Sequence, residues 1–226
     1  MTDKSAKKCI ILSAGECPKK RIFSKFSEKF GYNTLFCADG GFANAQRLGV
    51  IPDYVIGDMD SIEQGVLQKE SKLTKIIRLA RQSDTDTEKC LKFAIARKYT
   101  RIIIMGADGG RLDHLLSVMG LLLKYAEIIS IAFVSNNSVI HPAVNKIEFS
   151  AAVGEIISCF SLNDTAEFQS KGLKYPLKGT GFLLGKKESI SNRATSNRIE
   201  ISSTAGKFFI VRSIKSAIDE MLFYEH

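Results

Sequence analysis

Arg101-Ile102-Ile103-Ile104-Met105-Gly106-Ala107-Asp108-Gly109-Gly110-Arg111-Leu112-Asp113-His114 passes from a β-rich apolar run through a glycine turn into the start of a helix. That order, strand then glycine turn then helix, decides the fold class. Residues Asp113 to Glu127 carry Leu115, Leu116, Met119, Leu122 and Leu123 at helical spacing, which predicts a helix that buries one face. Glycines in the turn can expose successive N–H donors, Arg111 can grip phosphate oxygens, and a helix N-terminus at Asp113 itself favours anions. His114 reads more readily as a buried histidine bonded to a neighbouring strand than as a general base.

Outward from this passage the same alternation extends from Cys9 to about Asn136. Strands are predicted at Cys9 to Ser13, Thr34 to Ala38, Tyr54 to Ile56, Lys75 to Leu79, Arg101 to Met105 and Ile129 to Val134. Helices are predicted at Ile22 to Phe30, Gly41 to Leu48, Ile62 to Ser71 and Thr85 to Lys98. Such strand-helix-strand units build a parallel sheet. After His141-Pro142 the pattern changes to short strands broken by Gly, Asn, Asp and Ser, including Glu155 to Leu162, Arg198 to Ser202 and Lys207 to Arg212. A small antiparallel β domain follows from that change, with the boundary near Pro142 to Lys146 and one more helix from Ile214 to Tyr224.

Acidic groups end several of the predicted strands. Asp58 and Asp60, in Gly57-Asp58-Met59-Asp60-Ser61, follow the apolar run Tyr54-Val55-Ile56, at the strand end where open parallel sheets collect ligands. Two residues apart, they project to one side of an extended segment and can share a cation, although Asp60 or Ser61 would also serve as an N-cap. Asp39-Gly40-Gly41 ends Leu35-Phe36-Cys37-Ala38, where a glycine pair allows a tight turn or close ligand approach. Gln82-Ser83-Asp84-Thr85-Asp86 precedes a helix, and on its own reads as a capping segment. Carboxylates together with glycine turns and an arginine suit a divalent cation and a phosphate chain.

Composition narrows the classes. The 226 residues carry 32 Lys and Arg against 24 Asp and Glu, a formal charge of +8 that attracts polyanions without choosing among them. No aromatic-basic interleaving accompanies it, so nucleic acid is not an expected partner. The five cysteines are scattered without C-x-x-C spacing, which argues against a disulfide framework or zinc site and for a reducing cytoplasm. The polar start and the lack of a long apolar run predict no signal peptide and no membrane span. Neither a G-x-x-x-x-G-K-[ST] loop nor a G-x-S-x-G elbow occurs, which removes a P-loop and makes a hydrolase triad improbable.

Taken in order, Asp39-Gly40-Gly41, Gly57-Asp58-Met59-Asp60-Ser61, Gln82 with Thr85-Asp86, and Gly109-Gly110-Arg111 with Asp113-His114 resemble the motifs of the thiamine pyrophosphokinase family. Gly172-Leu173-Lys174-Tyr175-Pro176-Leu177 and Ile190-Ser191-Asn192 extend the resemblance over Ala38 to Val211. It implies an α/β fold: a parallel-sheet, Rossmann-like catalytic domain over 1–142 and a smaller antiparallel β-sandwich over 143–226, joined in a homodimer with the active site between subunits. The implied reaction moves the pyrophosphoryl group of ATP to the hydroxyl of thiamine, giving thiamine diphosphate and AMP. By resemblance Asp58, Asp60 and Asp86 bind Mg²⁺, while Gly109, Gly110, Arg111, Asp39 and Thr85 hold ATP. Asp39 and Asp113 also stand as candidates to touch metal, take the hydroxyl proton or favour the thiazolium. Gln82, Ser191 and Asn192 would read the aminopyrimidine, with Tyr175 stacking where the family often has tryptophan. Without the resemblance, Ser191-Asn192 reads as a turn and Tyr175 as β-domain core. The rival classes are another metal-dependent nucleotidyl- or glycosyltransferase built on Asp58-x-Asp60, and a polyanion binder.

Overall fold

The computed structural model describes residues 6–60, 73–79, 83–163, 165–180 and 182–217. The chain divides into two compact units, Met1–Leu121 and Leu122–His226.

In the first unit, β1 (Lys7–Leu12), β2 (Thr34–Ala38), β3 (Tyr54–Gly57), β4 (Lys75–Arg78) and β5 (Tyr99–Met105) form a parallel sheet in the order β5-β1-β2-β3-β4. Cys9, Ile10, Ile11 and Leu12 in β1 and Ile102 to Met105 in β5 are wholly buried. Consecutive apolar residues survive on both faces only where helices cover both, which is why these strands read as runs rather than alternations. Between strands lie α1 (Lys20–Ser24), which continues as a π-helical turn over Lys25–Lys29, then α2 (Phe42–Leu48), α3 (Asp86–Ala96) and α4 (Leu112–Tyr125). A left-handed Gly49 (φ 72°) closes α2, donating its N–H to the Gln46 carbonyl at 3.0 Å. The helix predicted over Ile62 to Ser71 lies outside the described residues.

One packing expectation needs correction. Helix α4 buries Val118, Leu121, Leu122 and Tyr125, whereas Leu112 and Leu116 are 76% and 71% exposed. The apolar residues on α4 exceed one stripe, and their identity alone does not select which stripe is buried.

The second unit begins before the change of sequence pattern, because β6 (Ser130–Val134) pairs antiparallel with β7 (Ser138–Ser150). Its other strands are β8 (Ile156–Ser161), β9 (Phe168–Lys171), β10 (Lys178–Gly179), β11 (Ser189–Arg193) and β12 (Arg198–Ser213). The long β12 pairs with β7 along its length, but its first half also pairs with β9 and its second half with β8. A register shift between Ser202 and Lys207, with Gly206 at φ 84°, marks the place where it passes from one set of partners to the other. A strand shared in this way turns the corner of a sandwich. Phe168 sits between Phe182 and Phe208 at ring separations of 5.7 and 5.3 Å in the enclosed core. Beyond β12 the described helix, α5, covers Ile214–Ala217.

A buried ion pair anchors this unit. Arg212 Nε and Nη2 donate to the Glu155 carboxylate at 2.6 and 2.9 Å, Nη2 also reaches the Ser150 carbonyl at 2.9 Å, and the guanidinium lies 4.6 Å from the Phe149 ring centre. Bidentate geometry and the added acceptor offset the desolvation of both charges. Nearby His141 is buried, and burial, followed by the Arg212 charge, pushes its imidazole down to about 3.

Candidate active site

Asp39 follows β2 in a single 3-10 turn, Asp39–Gly41, and is fully buried. That turn presses on the end of β1: a Cβ on Gly41 would stand 2.1 Å from the Leu12 carbonyl oxygen, and one on Gly40 2.7 Å from Ala14 Cβ. Only glycine permits this approach. At the end of β3, a Cβ on Gly57 would come within 2.6 Å of Asp39 Cβ and 3.2 Å of Asp86 Cγ. Gly57 is therefore the gap that lets side chains from β2 and α3 gather beside β3.

Asp58 and Asp60 meet by a different route from the extended segment expected. Met59 is left-handed (φ 67°) and largely buried, and the Asp60 N–H lies 3.4 Å from Asp58 Oδ1. The turn, not strand alternation, brings them together. Asp39, Asp58 and Asp60 each offer a carboxylate oxygen, all within 4.8 Å of one another. Such a hard oxygen set fits Mg²⁺, whose ligands at about 2.1 Å span roughly 3 to 4 Å between oxygens.

Asp86 stands beside this group, at the first position of α3, and accepts from Lys89 Nζ at 2.7 Å. Thr85 is the N-cap, its hydroxyl accepting from the Glu88 N–H at 3.3 Å, so the capping role weighed for this segment is realised. Asp84 pairs with Lys92 at 2.8 Å. Gln82 and Ser61 lie outside the described residues.

A small cleft open to solvent is lined by Ser13, Gly15, Thr85, Thr87, Gly106, His114 and Ser117 among others. The Ser13 and Thr87 hydroxyls are 2.8 Å apart and join the end of β1 to α3. Asn44 Nδ2 ties down the loop after β1, donating to the Ser13 and Gly15 carbonyls at 2.9 and 3.0 Å. Gly106 (φ 72°) and Gly109 (φ 70°) are left-handed, and a Cβ on Gly109 would lie 2.5 Å from Glu16 Cβ. Burial raises the Asp108 carboxyl above its ordinary range, with the Glu16 charge adding to the effect.

Arg111 and Asp113 are both well exposed and form a bidentate pair at 3.2 and 2.6 Å, and the hydrogen bond from Arg111 holds the Asp113 carboxyl below its usual range. His114 contradicts the buried role expected of it: it is exposed and lines the cleft. Its position in the first turn of α4, pointing off the exposed side, explains the difference. Ser13, Gly15 and Thr87 were missed by sequence reasoning; the signal available was the Ser13-Ala14-Gly15 turn directly after a buried strand.

In the β unit, Tyr175 is 62% exposed and so is not core. Ser191 and Asn192 belong to a bulge in β11 rather than a connecting turn: the register against β8 shifts between Ser189 and Asn192, with Ser191 left-handed (φ 55°). The Ser191 N–H donates to the Ser158 hydroxyl at 3.0 Å. Asn192, expected to offer its amide to a ligand, is instead buried and bonded to the backbone of Tyr175.

Two family profiles match the chain: "Thiamin pyrophosphokinase, catalytic domain" over residues 30–133 and "Thiamin pyrophosphokinase, vitamin B1 binding domain" over residues 144–208. The thiamine pyrophosphokinase of Bacillus subtilis is 29% identical over 181 residues, covering 77% of this chain and 85% of the relative. Thiamin pyrophosphokinase 1 of Caenorhabditis elegans is 25% identical over 174 residues, covering 71% and 70%. Among solved structures, the B. subtilis thiamine pyrophosphokinase superposes with a TM-score of 0.75 at 25% identity, over 91% of this chain and 99% of the other. The Candida albicans thiamin pyrophosphokinase, at 18% identity, shares the fold with a TM-score of 0.78 over 92% of this chain and 89% of its own.

Proposed function

Because this chain belongs to the thiamin pyrophosphokinase family, we propose that it transfers the pyrophosphoryl group of ATP to the hydroxyl of thiamine, giving thiamine diphosphate and AMP. The observation that carries this reading is the convergence of Asp39, Asp58 and Asp60 at the carboxyl ends of β2 and β3. A nucleotidyl- or glycosyltransferase is not favoured, since both halves of the chain match the one family.

In this proposal Asp39, Asp58 and Asp60 would hold Mg²⁺, with Asp86 beside them, and the ion would supply positive charge against the phosphate oxygens. The chain's own groups do the rest. Backbone N–H groups of the Gly109-Gly110 turn receive the triphosphate, and Arg111 exchanges the Asp113 carboxylate for phosphate oxygens, which its exposure allows. Thr85 and Asp39 flank the nucleotide. Asp113, once released by Arg111, or Asp39 takes the proton of the attacking hydroxyl. Tyr175 stacks on the thiamine heterocycle, with Gln82 and Ser191 reading its polar edge.

A homodimer with the active site between subunits belongs to the same proposal, supported by the exposed apolar pair Leu112 and Leu116 on α4. Cytoplasmic residence is supported by cysteine usage. Among the described residues no helix is long and apolar enough to cross a membrane. Incubation of the protein with ATP, Mg²⁺ and thiamine tests the reaction: AMP and thiamine diphosphate are expected, and ADP as sole nucleotide product overturns it.

A further inference from the structure

Asn192 is 2% exposed, and its side-chain amide makes four hydrogen bonds within the protein. Nδ2 donates to the Tyr175 carbonyl at 2.6 Å and to the Ser189 hydroxyl at 3.2 Å, while Oδ1 accepts from the Tyr175 N–H at 3.0 Å and the Arg193 N–H at 2.9 Å. A primary amide has two N–H donors and two lone pairs, so this set exhausts it. No polar capacity is left for a ligand.

Two of those bonds grip both backbone polar groups of one residue, Tyr175. That residue stands outside regular structure, just after the bridge that joins Leu173 to Ala194, and Pro176 follows it. Exposed irregular backbone is ordinarily the mobile part of a fold. Here the β11 bulge turns Asn192 inward, against the strand alternation that would otherwise apply, and uses it to strap an exposed aromatic ring to the sheet. Lys174, adjacent in the chain, is held by the β11 backbone itself, its N–H donating to the Arg193 carbonyl at 2.8 Å.

We infer that Asn192 is a positioning residue: it makes no contact with substrate, and fixes the Tyr175 backbone so that the exposed ring presents one face to the heteroaromatic rings of thiamine. The inference rests on the thiamine-binding reading of the β unit. A ring already held pays less ordering entropy when a flat ligand stacks on it.

The chain contains no tryptophan, so Y175W places a single fluorescent reporter at the site. Thiamine is expected to quench its emission. Adding N192A should lower Trp anisotropy in the ligand-free protein and weaken thiamine binding about tenfold, equivalent to about 1.4 kcal/mol. With Tyr175 retained, N192A should raise KM for thiamine by a similar factor and leave KM for ATP within about twofold. The decisive comparison is with a thiamine analogue lacking the pyrimidine amino group. Positioning predicts that N192A weakens both ligands equally; loss of discrimination between them means that Asn192 reads the amino group directly and overturns the inference. Unchanged ligand-free anisotropy overturns it too. S189A, which removes one of the four amide contacts and leaves Asn192 in place, should fall between the two proteins and serves if N192A does not fold. Silence of the Y175W emission in a protein that still forms thiamine diphosphate overturns the role given to Tyr175, and the inference with it. Absence of product from the unmodified protein sinks instead the functional reading, while the ligand-free anisotropy still reports on the strap.

Discussion

Gly57 lies so close to Asp39 that a single added Cβ would come within 2.6 Å of the Asp39 Cβ, a separation that packed atoms do not tolerate. The same Cβ would press on Asp86 from the other side, at 3.3 Å from its Oδ1. Gly57→Ala should therefore move two acidic side chains without removing either. We expect an activity loss on the order of 100-fold with a stability loss of about 1–3 kcal/mol, read from AMP release and a urea melt. Full activity would show that the spacing of Asp39 and Asp86 is unimportant.

Asp58→Asn and Asp60→Asn remove charge while keeping shape. If the pair holds the proposed cation, each variant should lower turnover on the order of 100-fold or more, because several kcal/mol of charge stabilisation would be lost, and each should raise the Mg²⁺ concentration needed for half-maximal rate. Both residues are exposed, so thermal stability should hardly change. Wild-type turnover in both variants would remove the proposed metal site.

Arg111→Met tests the exposed pair with Asp113. Solvent screens that pair, so stability should shift by less than about 0.5 kcal/mol, whereas KM for ATP should rise about tenfold if the guanidinium transfers to phosphate. An unchanged KM for ATP would leave Arg111 as a surface residue.

Glu155→Ala strands Arg212 in the β unit with its buried charge uncompensated. A loss of about 3–5 kcal/mol is expected in denaturant unfolding. The double variant E155A/R212M should recover part of that loss, since it also removes the unpaired cation. Additive losses would mean that the pair is not coupled.

His141 predicts a pH dependence. With its folded value at about 3, below the ordinary 6.5 for a free imidazole, the unfolded chain binds the proton and the folded one does not. Its contribution is whole above pH 6.5 and is lost as pH falls from there toward 3, by up to about 1.4 kcal/mol per pH unit. His141→Phe should flatten the stability profile across that window. A slope equal to that of the unmodified protein would place the acid sensitivity in other groups.

Much of this was legible in the linear chain. Buried strands announced themselves as runs such as Cys9 to Leu12, because a strand covered on both faces has no solvent side to mark with polar residues. Acidic residues stood at strand ends, where a parallel sheet leaves room for ligands, and their order carried the family resemblance. Less was legible in α4, where apolar residues outnumber those that become buried: Leu116 and His114 were both expected inside and both are exposed. Periodicity shows that a helix has an apolar side, but not where its neighbours stop.

Local pattern thus determined strand and helix order, the two-part architecture and the set of acids, since propensity and periodicity act over a few residues. Which acids meet was settled by packing: the left-handed Met59 and the missing Cβ of Gly57 let Asp39 gather with Asp58 and Asp60 and leave room for Asp86 beside them. That the Asn192 amide bonds Tyr175, Ser189 and Arg193 depends likewise on one bulge in β11. Contacts between residues far apart in the chain depend on backbone turns of a few degrees of freedom, and these leave almost no mark in composition or spacing.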